Sequence, residues 1–151
     1  NLKKDFSNER GRWASTFHEI GHRIDRLTGR PSENPDFEKA LKKDFENIVR
    51  GYQKIYNKNR SIAYKEIGEK VMSPEYHSVS DLFGGMSDNQ CAGGYLHDKP
   101  GYWDVKGRLG REAYASFFEA YSRNDTLKID ILKQTFPGAY KMFEDMMEAL
   151  K

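Results

Sequence analysis

Apolar residues recur at intervals of three and four along most of the chain, which is the spacing of one face of an amphipathic helix. The first such stretch ends at Leu27, where Gly29 and Pro31 follow as stop signals. Asn34 and Pro35 then give a start signal, a capping side chain before a proline at the first helical position. The pattern predicts helices over residues 11–27, 34–55, 61–72, 78–83, 111–123, 125–135 and 137–150.

Residues 87–110 break this pattern, because glycines interrupt them and the helical period is lost. We expect a long loop or a small hairpin there. The short helix before it should begin with a serine cap at Ser78 and close at Gly84 and Gly85. Strand patterns are scarce elsewhere, so the sequence predicts one mainly α domain over residues 1–151.

An HExxH pattern lies in the first predicted helix, formed by His18, Glu19 and His22. Residues four apart leave the same helix face one turn apart, so the two imidazoles can hold one metal ion between them. Glu19 lies at the edge of that face, where a carboxylate can take a proton from a metal-activated water. The pattern indicates a catalytic zinc site, and the alternative is a chance match on an amphipathic helix.

A third protein ligand must complete such a site, because catalytic zinc usually has three. Glu112 and Glu119 are seven residues apart on a predicted helix, so they lie near one face and either can reach the metal. Asp25, three residues after His22, is a further candidate, as a ligand or as the group that orients an imidazole. The alternative for Asp25 is a surface aspartate that pairs with an arginine.

Composition narrows the classes of partner. The chain has 25 basic and 23 acidic residues, interspersed to a net charge of +2, so no basic stripe indicates nucleic acid. With one cysteine, Cys91, any metal must be held by histidines and carboxylates. No apolar run is long enough for a membrane span, and the start does not resemble a signal peptide. Because the first residue is Asn1, we expect a fragment of a longer polypeptide.

The order of these motifs resembles that of the gluzincin-type metallopeptidases. The HExxH at 18–22 and the segment at 112–115, about ninety residues later, look like the lethal-factor-like zincins, the group around the catalytic domain of anthrax lethal factor. Residues 80–83 and 94–97, followed by Tyr102 and Trp103, are similar to the zincin domains of phage minor head proteins. The resemblance covers most of residues 13–150, and the HExxH is its specific part.

This resemblance implies roles for individual residues. His18 and His22 would be zinc ligands, Glu19 the general base and Glu112 the third ligand. It also implies a small β-sheet beside the HExxH helix. We therefore expect a mainly α fold with a small β component, in the α+β class. The chain departs from the family pattern at Ser116, where relatives often carry a second acidic residue one turn after the ligand glutamate.

The oxyanion formed when water attacks a peptide carbonyl needs a hydrogen-bond donor. Zincins often supply one from a loop or strand that faces the metal, and the candidates here are Tyr95, His97 and Tyr102.

Three functions are consistent with these observations. The first is a Zn²⁺-dependent peptidase that acts on a peptide or protein substrate. The second is a zincin-fold structural or interaction module of a phage head or mobile element without turnover, and the third is a toxin effector domain. Cytoplasmic and phage-associated locations are both consistent with the sequence, which also leaves the substrate and oligomeric state open.

Overall fold

The structure is a computed structural model that describes residues 12–56, 59–77, 79–91, 97 and 99–151. These residues form seven α-helices and three 3-10 turns and contain no strand. The helices are α1 (Ala14–Leu27), α2 (Pro35–Tyr56), α3 (Arg60–Val71), α4 (Ser80–Met86), α5 (Arg108–Ser122), α6 (Thr126–Thr135) and α7 (Pro137–Glu148). The prediction of a mainly α fold is confirmed.

The β-structure expected beside these helices does not occur among the described residues. The predicted loop contains a 3-10 turn, Tyr102–Asp104, and its residues 92–96 and 98, where a hairpin was expected, lie outside the described part of the chain. The loop is also shorter than predicted, because α5 already begins at Arg108.

Helix boundaries follow the local capping signals. Asn34 accepts a hydrogen bond from the backbone N–H of Asp36 (2.9 Å), and α2 begins at Pro35 as predicted. Gly29 adopts a φ of +85° directly after α1, a conformation that glycine reaches at low cost. The side chains of Asn59 and Asp125 cap α3 and α6 in the same way as Asn34 caps α2.

Helix α5 lies at the centre of the fold, and nine of its residues are buried. Phe117 on this helix packs against four other rings: Phe37, Phe136, Tyr140 and Phe143, at centroid distances of 5.4–6.1 Å. Aromatic packing of this kind holds α2, α5 and α7 in one hydrophobic core. The core fixes the central helix, and α5 in turn carries Glu112 and Glu119.

Helix α1 packs on α5 through a close backbone approach at Gly21. A Cβ atom at Gly21 would lie 2.9 Å from the Cα of Ala115 and 3.1 Å from the Cβ of Phe118. The buried residues of α1 are Ala14, Gly21 and Asp25, whereas Leu27 on its apolar stripe is 70% exposed. The face that carries the histidines, rather than the apolar stripe, is therefore turned toward α5.

The predicted stop at Gly84 and Gly85 is wrong, because α4 continues to Met86. A Cβ at Gly85 would lie 2.7 Å from the indole of Trp103, so this glycine makes room for a ring. Close packing, not helix termination, is the physical reason for a glycine here.

No helix among the described residues combines the length and the apolar character that a membrane span requires.

Candidate metal centre

Three side chains on α1 and α5 converge on one point. Nε2 of His18 lies 3.4 Å from Oε2 of Glu112, and Nε2 of His22 lies 3.5 Å from the same oxygen. One potential ligand atom from each residue lies within 4.8 Å of the other two. The helical spacing of the histidines and the packing of α1 on α5 together create this cluster.

The donor set fits a zinc ion. A tetrahedral ion with bonds of about 2.0–2.1 Å separates its ligand atoms by about 3.3 Å. The two measured nitrogen–oxygen distances, 3.4 and 3.5 Å, are close to that separation and long for hydrogen bonds. Two imidazoles and one carboxylate are also the ligand types of a catalytic zinc site.

Glu112 is held in its ionised form. Burial by itself would raise the pKa of Glu112, but the contacts of its carboxylate with His18 and His22 and the positive charge of His22 outweigh it, so the pKa is well below its usual value. Tyr102 donates a hydrogen bond from its hydroxyl to Oε1 of Glu112 (2.9 Å). Burial, and then the charge of Glu112, raises the pKa of Tyr102 above its usual value, so the phenol keeps its proton.

Glu119 lies behind the cluster and not in it. Its side chain is fully buried, and Oε2 lies 3.9 Å from Nδ1 of His18, the nitrogen that faces away from Glu112. The other oxygen is 3.4 Å from Nζ of Lys128 and 3.5 Å from a guanidinium nitrogen of Arg123. This geometry favours an orienting role for Glu119 on His18 over the role of third ligand.

Ser116 is 4% exposed and lines a cleft beside His18 and His22. It occupies the position where the family resemblance would place a second acid. Glu119, one turn further along α5, supplies the carboxylate beside His18 instead.

A cleft of about 280 Å³ opens next to the histidines. Glu19 lines it beside His18 and His22, with Leu82 and Tyr102 among the other lining residues. Glu19 is exposed to solvent and is not one of the three converging residues. It can therefore exchange protons with water in the cleft while the cluster binds a metal.

The predicted oxyanion donors take different positions. His97 lines the cleft, stacked on Tyr102 at a centroid distance of 4.2 Å, and its Nδ1 lies 3.0 Å from Oδ2 of Asp81. The hydroxyl of Tyr102 is occupied by Glu112, so Tyr102 supports the ligand carboxylate in this structure. Tyr95 lies outside the described residues.

Asp25 is buried, with 1% of its surface exposed, and so is not the surface aspartate considered above. Its two oxygens accept hydrogen bonds from the backbone N–H (3.0 Å) and the hydroxyl (2.7 Å) of Ser32. The carboxylate thus anchors the 3-10 turn Pro31–Glu33 to α1. These bonds favour a structural role for Asp25 over that of a metal ligand.

The sequence indicated no role for Asp81 or Arg108 in the site, although Asp81 lies in the segment 80–83 that resembles phage zincin domains. Asp81 reaches His97 from another helix, and Arg108 lies over the Tyr102 ring at 4.3 Å while it donates to the Tyr102 carbonyl. Only the tertiary fold brings these residues together, since no fixed spacing relates them to the HExxH.

Comparison with family models, with curated proteins and with solved structures finds no match to this chain. The functional argument therefore depends on the geometry of the site.

Proposed function

We propose that this chain is a zinc-dependent metallopeptidase domain that hydrolyses peptide bonds. The observation that carries the proposal is the convergence of His18, His22 and Glu112 within 4.8 Å, in a cleft that also contains Glu19. A carboxylate beside a three-ligand metal cluster is the arrangement that hydrolysis by an activated water requires.

His18, His22 and Glu112 would hold the metal. A bound zinc ion supplies Lewis acidity, which makes water a stronger nucleophile at neutral pH and polarises a carbonyl group. Glu19 accepts the proton of the attacking water and then passes it to the amine of the leaving peptide. Glu19 is exposed in the cleft and directly follows the ligand His18, and this position suits both proton transfers.

The surrounding residues keep the ligands in place. Tyr102 binds the second oxygen of Glu112, which leaves Oε2 directed at the two histidines. Glu119 faces Nδ1 of His18 at 3.9 Å, so its negative charge acts on this imidazole without a direct hydrogen bond. His97 on the cleft wall is the candidate donor to the oxyanion.

Glu19→Gln separates the chemical step from metal binding. We expect this variant to keep its zinc, since Glu19 is not among the converging residues, and to lose hydrolysis on the order of 10² to 10⁴-fold. The measurement is cleavage of a broad peptide library followed by mass spectrometry, with zinc content measured on the same samples. Glu75→Gln, an exposed glutamate in a 3-10 turn, is the matched control. Full cleavage by Glu19→Gln would remove this residue from the mechanism.

A zincin-fold module without turnover is the second candidate. Ser116 supports it, because zincins of the kind that the sequence resembles often have an acid at this position, and the cleft here contains a hydroxyl instead. A protein that binds zinc but cleaves no peptide of the library would favour this candidate. It would match the structural or interaction module of a phage head or mobile element. Growth inhibition that disappears in Glu19→Gln would instead support a toxin effector.

A further inference from the structure

A groove of about 750 Å³ lies at the first turns of α2 and α5, apart from the metal cleft. Residues within 33–42 form one wall, and residues within 106–111 form the other. The lining residues that the structure describes here differ from those of the metal cleft, which has a volume of about 280 Å³. The larger groove is therefore a separate surface with room for an extended ligand.

Six charged side chains line this groove, and four of them are basic. The two acidic side chains each have a basic partner. Oε1 of Glu33 lies 2.8 Å from Nη1 of Arg111, and Oε1 of Glu38 lies 2.6 Å from Nζ of Lys42. These two pairs balance two of the four positive charges.

The other two basic side chains, Lys39 and Lys106, lie on opposite walls of the groove. Lys39 belongs to α2, and Lys106 lies two residues before α5. Both are exposed, and no ion pair joins either of them to an acidic side chain in the described part of the chain. The groove thus has an excess positive charge on each wall, and both ammonium groups are available to a ligand.

The turn that carries Lys106 packs closely on the opposite wall. Gly107 has a φ of +76°, and a Cβ there would lie 3.3 Å from Cγ of Glu33. Since Glu33 also pairs with Arg111, it links the two walls and fixes the backbone from which the Lys106 side chain extends. Helix α5 has no acidic residue in its first turn, so the positive end of its dipole adds to the potential of the groove.

The distribution of charge favours one kind of anionic partner. A nucleic acid carries a phosphate at every nucleotide, and Glu33 and Glu38 in the same groove would repel such a continuous row of negative charges. A peptide segment whose acidic side chains are separated by uncharged residues can pair with Lys39 and Lys106 and keep neutral groups beside the two glutamates.

We propose that this groove binds an acidic peptide segment of a partner protein, through ion pairs with Lys39 and Lys106. The groove shares no described lining residue with the metal cleft, so this binding does not depend on the proposed hydrolytic function.

A fluorescein-labelled peptide of alternating glutamate and glycine is the probe, and fluorescence anisotropy at low ionic strength measures its binding to the unmodified protein. We expect binding that weakens as sodium chloride is added, because salt screens exposed charges. The double variant Lys39→Gln/Lys106→Gln should raise the dissociation constant about fivefold, since two exposed ion pairs are lost.

Lys54→Gln/Lys65→Gln is the matched control, because it removes the same charge from exposed lysines on α2 and α3 that do not line the groove. This control should bind the peptide as tightly as the unmodified protein does. All four lysines are exposed, so neither double variant should disturb the core. No binding by the unmodified protein, or equal affinities in the two double variants, would overturn the proposal.

Two further probes test the chemistry of the partner. The same peptide with glutamine in place of glutamate should not compete, and effective competition would show that charge is not the basis of binding. A single-stranded oligothymidylate should bind more weakly than the acidic peptide, and tighter binding of the oligonucleotide would overturn the choice of a peptide partner. None of these measurements needs zinc or turnover, so their outcome is separate from that of the hydrolytic function.

Discussion

Glu112 is held at both oxygens, by two histidines on one side and by the Tyr102 hydroxyl on the other. The phenol keeps its proton because burial raises the pKa of Tyr102, so it remains a hydrogen-bond donor across the physiological range. A carboxylate fixed in this way loses little conformational entropy when it binds a metal ion.

Tyr102→Phe should therefore weaken zinc binding while the chain stays folded. Loss of an outer hydrogen bond to a ligand usually costs about 10- to 100-fold in metal affinity, and we expect the lower end because the histidines remain. Competition with a fluorescent chelator measures the affinity. Tyr121→Phe, which alters a tyrosine that is 37% exposed on α5, the helix that carries Glu112, should leave the zinc affinity unchanged. Equal affinities in the two variants would contradict the role of Tyr102.

Cys91 is fully buried, and burial raises the pKa of its thiol to about 11. We expect alkylation of the native protein at pH 8 to be at least about 100-fold slower than that of the urea-unfolded chain, as mass spectrometry can measure. In the unfolded chain the thiol ionises near its ordinary pKa of 9.0. Between pH 9 and 11 the unfolded state loses this proton first, so the contribution of Cys91 to stability falls as pH rises.

The effect of the Cys91 thiol on the pH dependence of stability is tested by comparing the unmodified protein with Cys91→Ala. Urea unfolding from pH 8 to pH 11 should show a steeper loss of stability in the unmodified protein than in Cys91→Ala. Parallel curves, or fast alkylation of the native protein, would show that the thiol is accessible.

At the scale of elements, the site depends on how closely α1 approaches α5. Gly21, inside the HExxH, allows this approach because a Cβ there would lie 2.9 Å from Ala115 of α5. Alanine is favoured over glycine within a helix by up to about 1 kcal/mol, whereas overpacking costs about 1–3 kcal/mol. The steric cost should be the larger of the two.

Gly21→Ala should thus lower the free energy of unfolding by about 1–2 kcal/mol in urea titrations and weaken zinc binding, because α1 moves away from Glu112. Gly51→Ala is the matched control. Gly51 lies within α2, and apart from the adjacent backbone of that helix no atom lies within 4 Å of the added Cβ, so alanine should stabilise the chain by up to about 1 kcal/mol. Stabilisation by both substitutions would show that α1 and α5 are not tightly packed at Gly21.

The elements themselves could largely be predicted, because their signals are local. Capping residues such as Asn34 and Asp125 mark helix starts through bonds within a few residues. The orientation of α1 could not be predicted from its apolar stripe, since Ile20 and Leu27 remain exposed and the histidine face packs inward. The same holds for Gly85, whose Trp103 neighbour comes from a distant turn.

At the scale of the molecule, the site joins two helices that are far apart in sequence. The HExxH spacing predicts the two histidines as a pair, because both lie on one helix. Because Glu112 and Glu119 lie near one face of α5, the choice between them depends on where along α5 the histidines of α1 lie, which the packing at Gly21 determines. Spacing left this choice open, and the family resemblance pointed to Glu112. Asp81 lies in the segment 80–83 that resembles phage zincin domains, but the sequence assigned it no role, because its contact with His97 depends on the tertiary fold.

The packing of α1 against α5 leads to one central prediction, that a zinc ion binds between these two helices. The most direct measurement is the metal content of chelator-treated protein after incubation with zinc and removal of the excess, compared with Glu112→Ala. Glu33→Ala, which removes an exposed carboxylate that pairs with Arg30 and Arg111, is the control for loss of negative charge.

We predict about one zinc per chain in the unmodified protein and in Glu33→Ala, and a clear loss in Glu112→Ala. No zinc in the unmodified protein, or full occupancy in Glu112→Ala, would contradict the His18, His22 and Glu112 site.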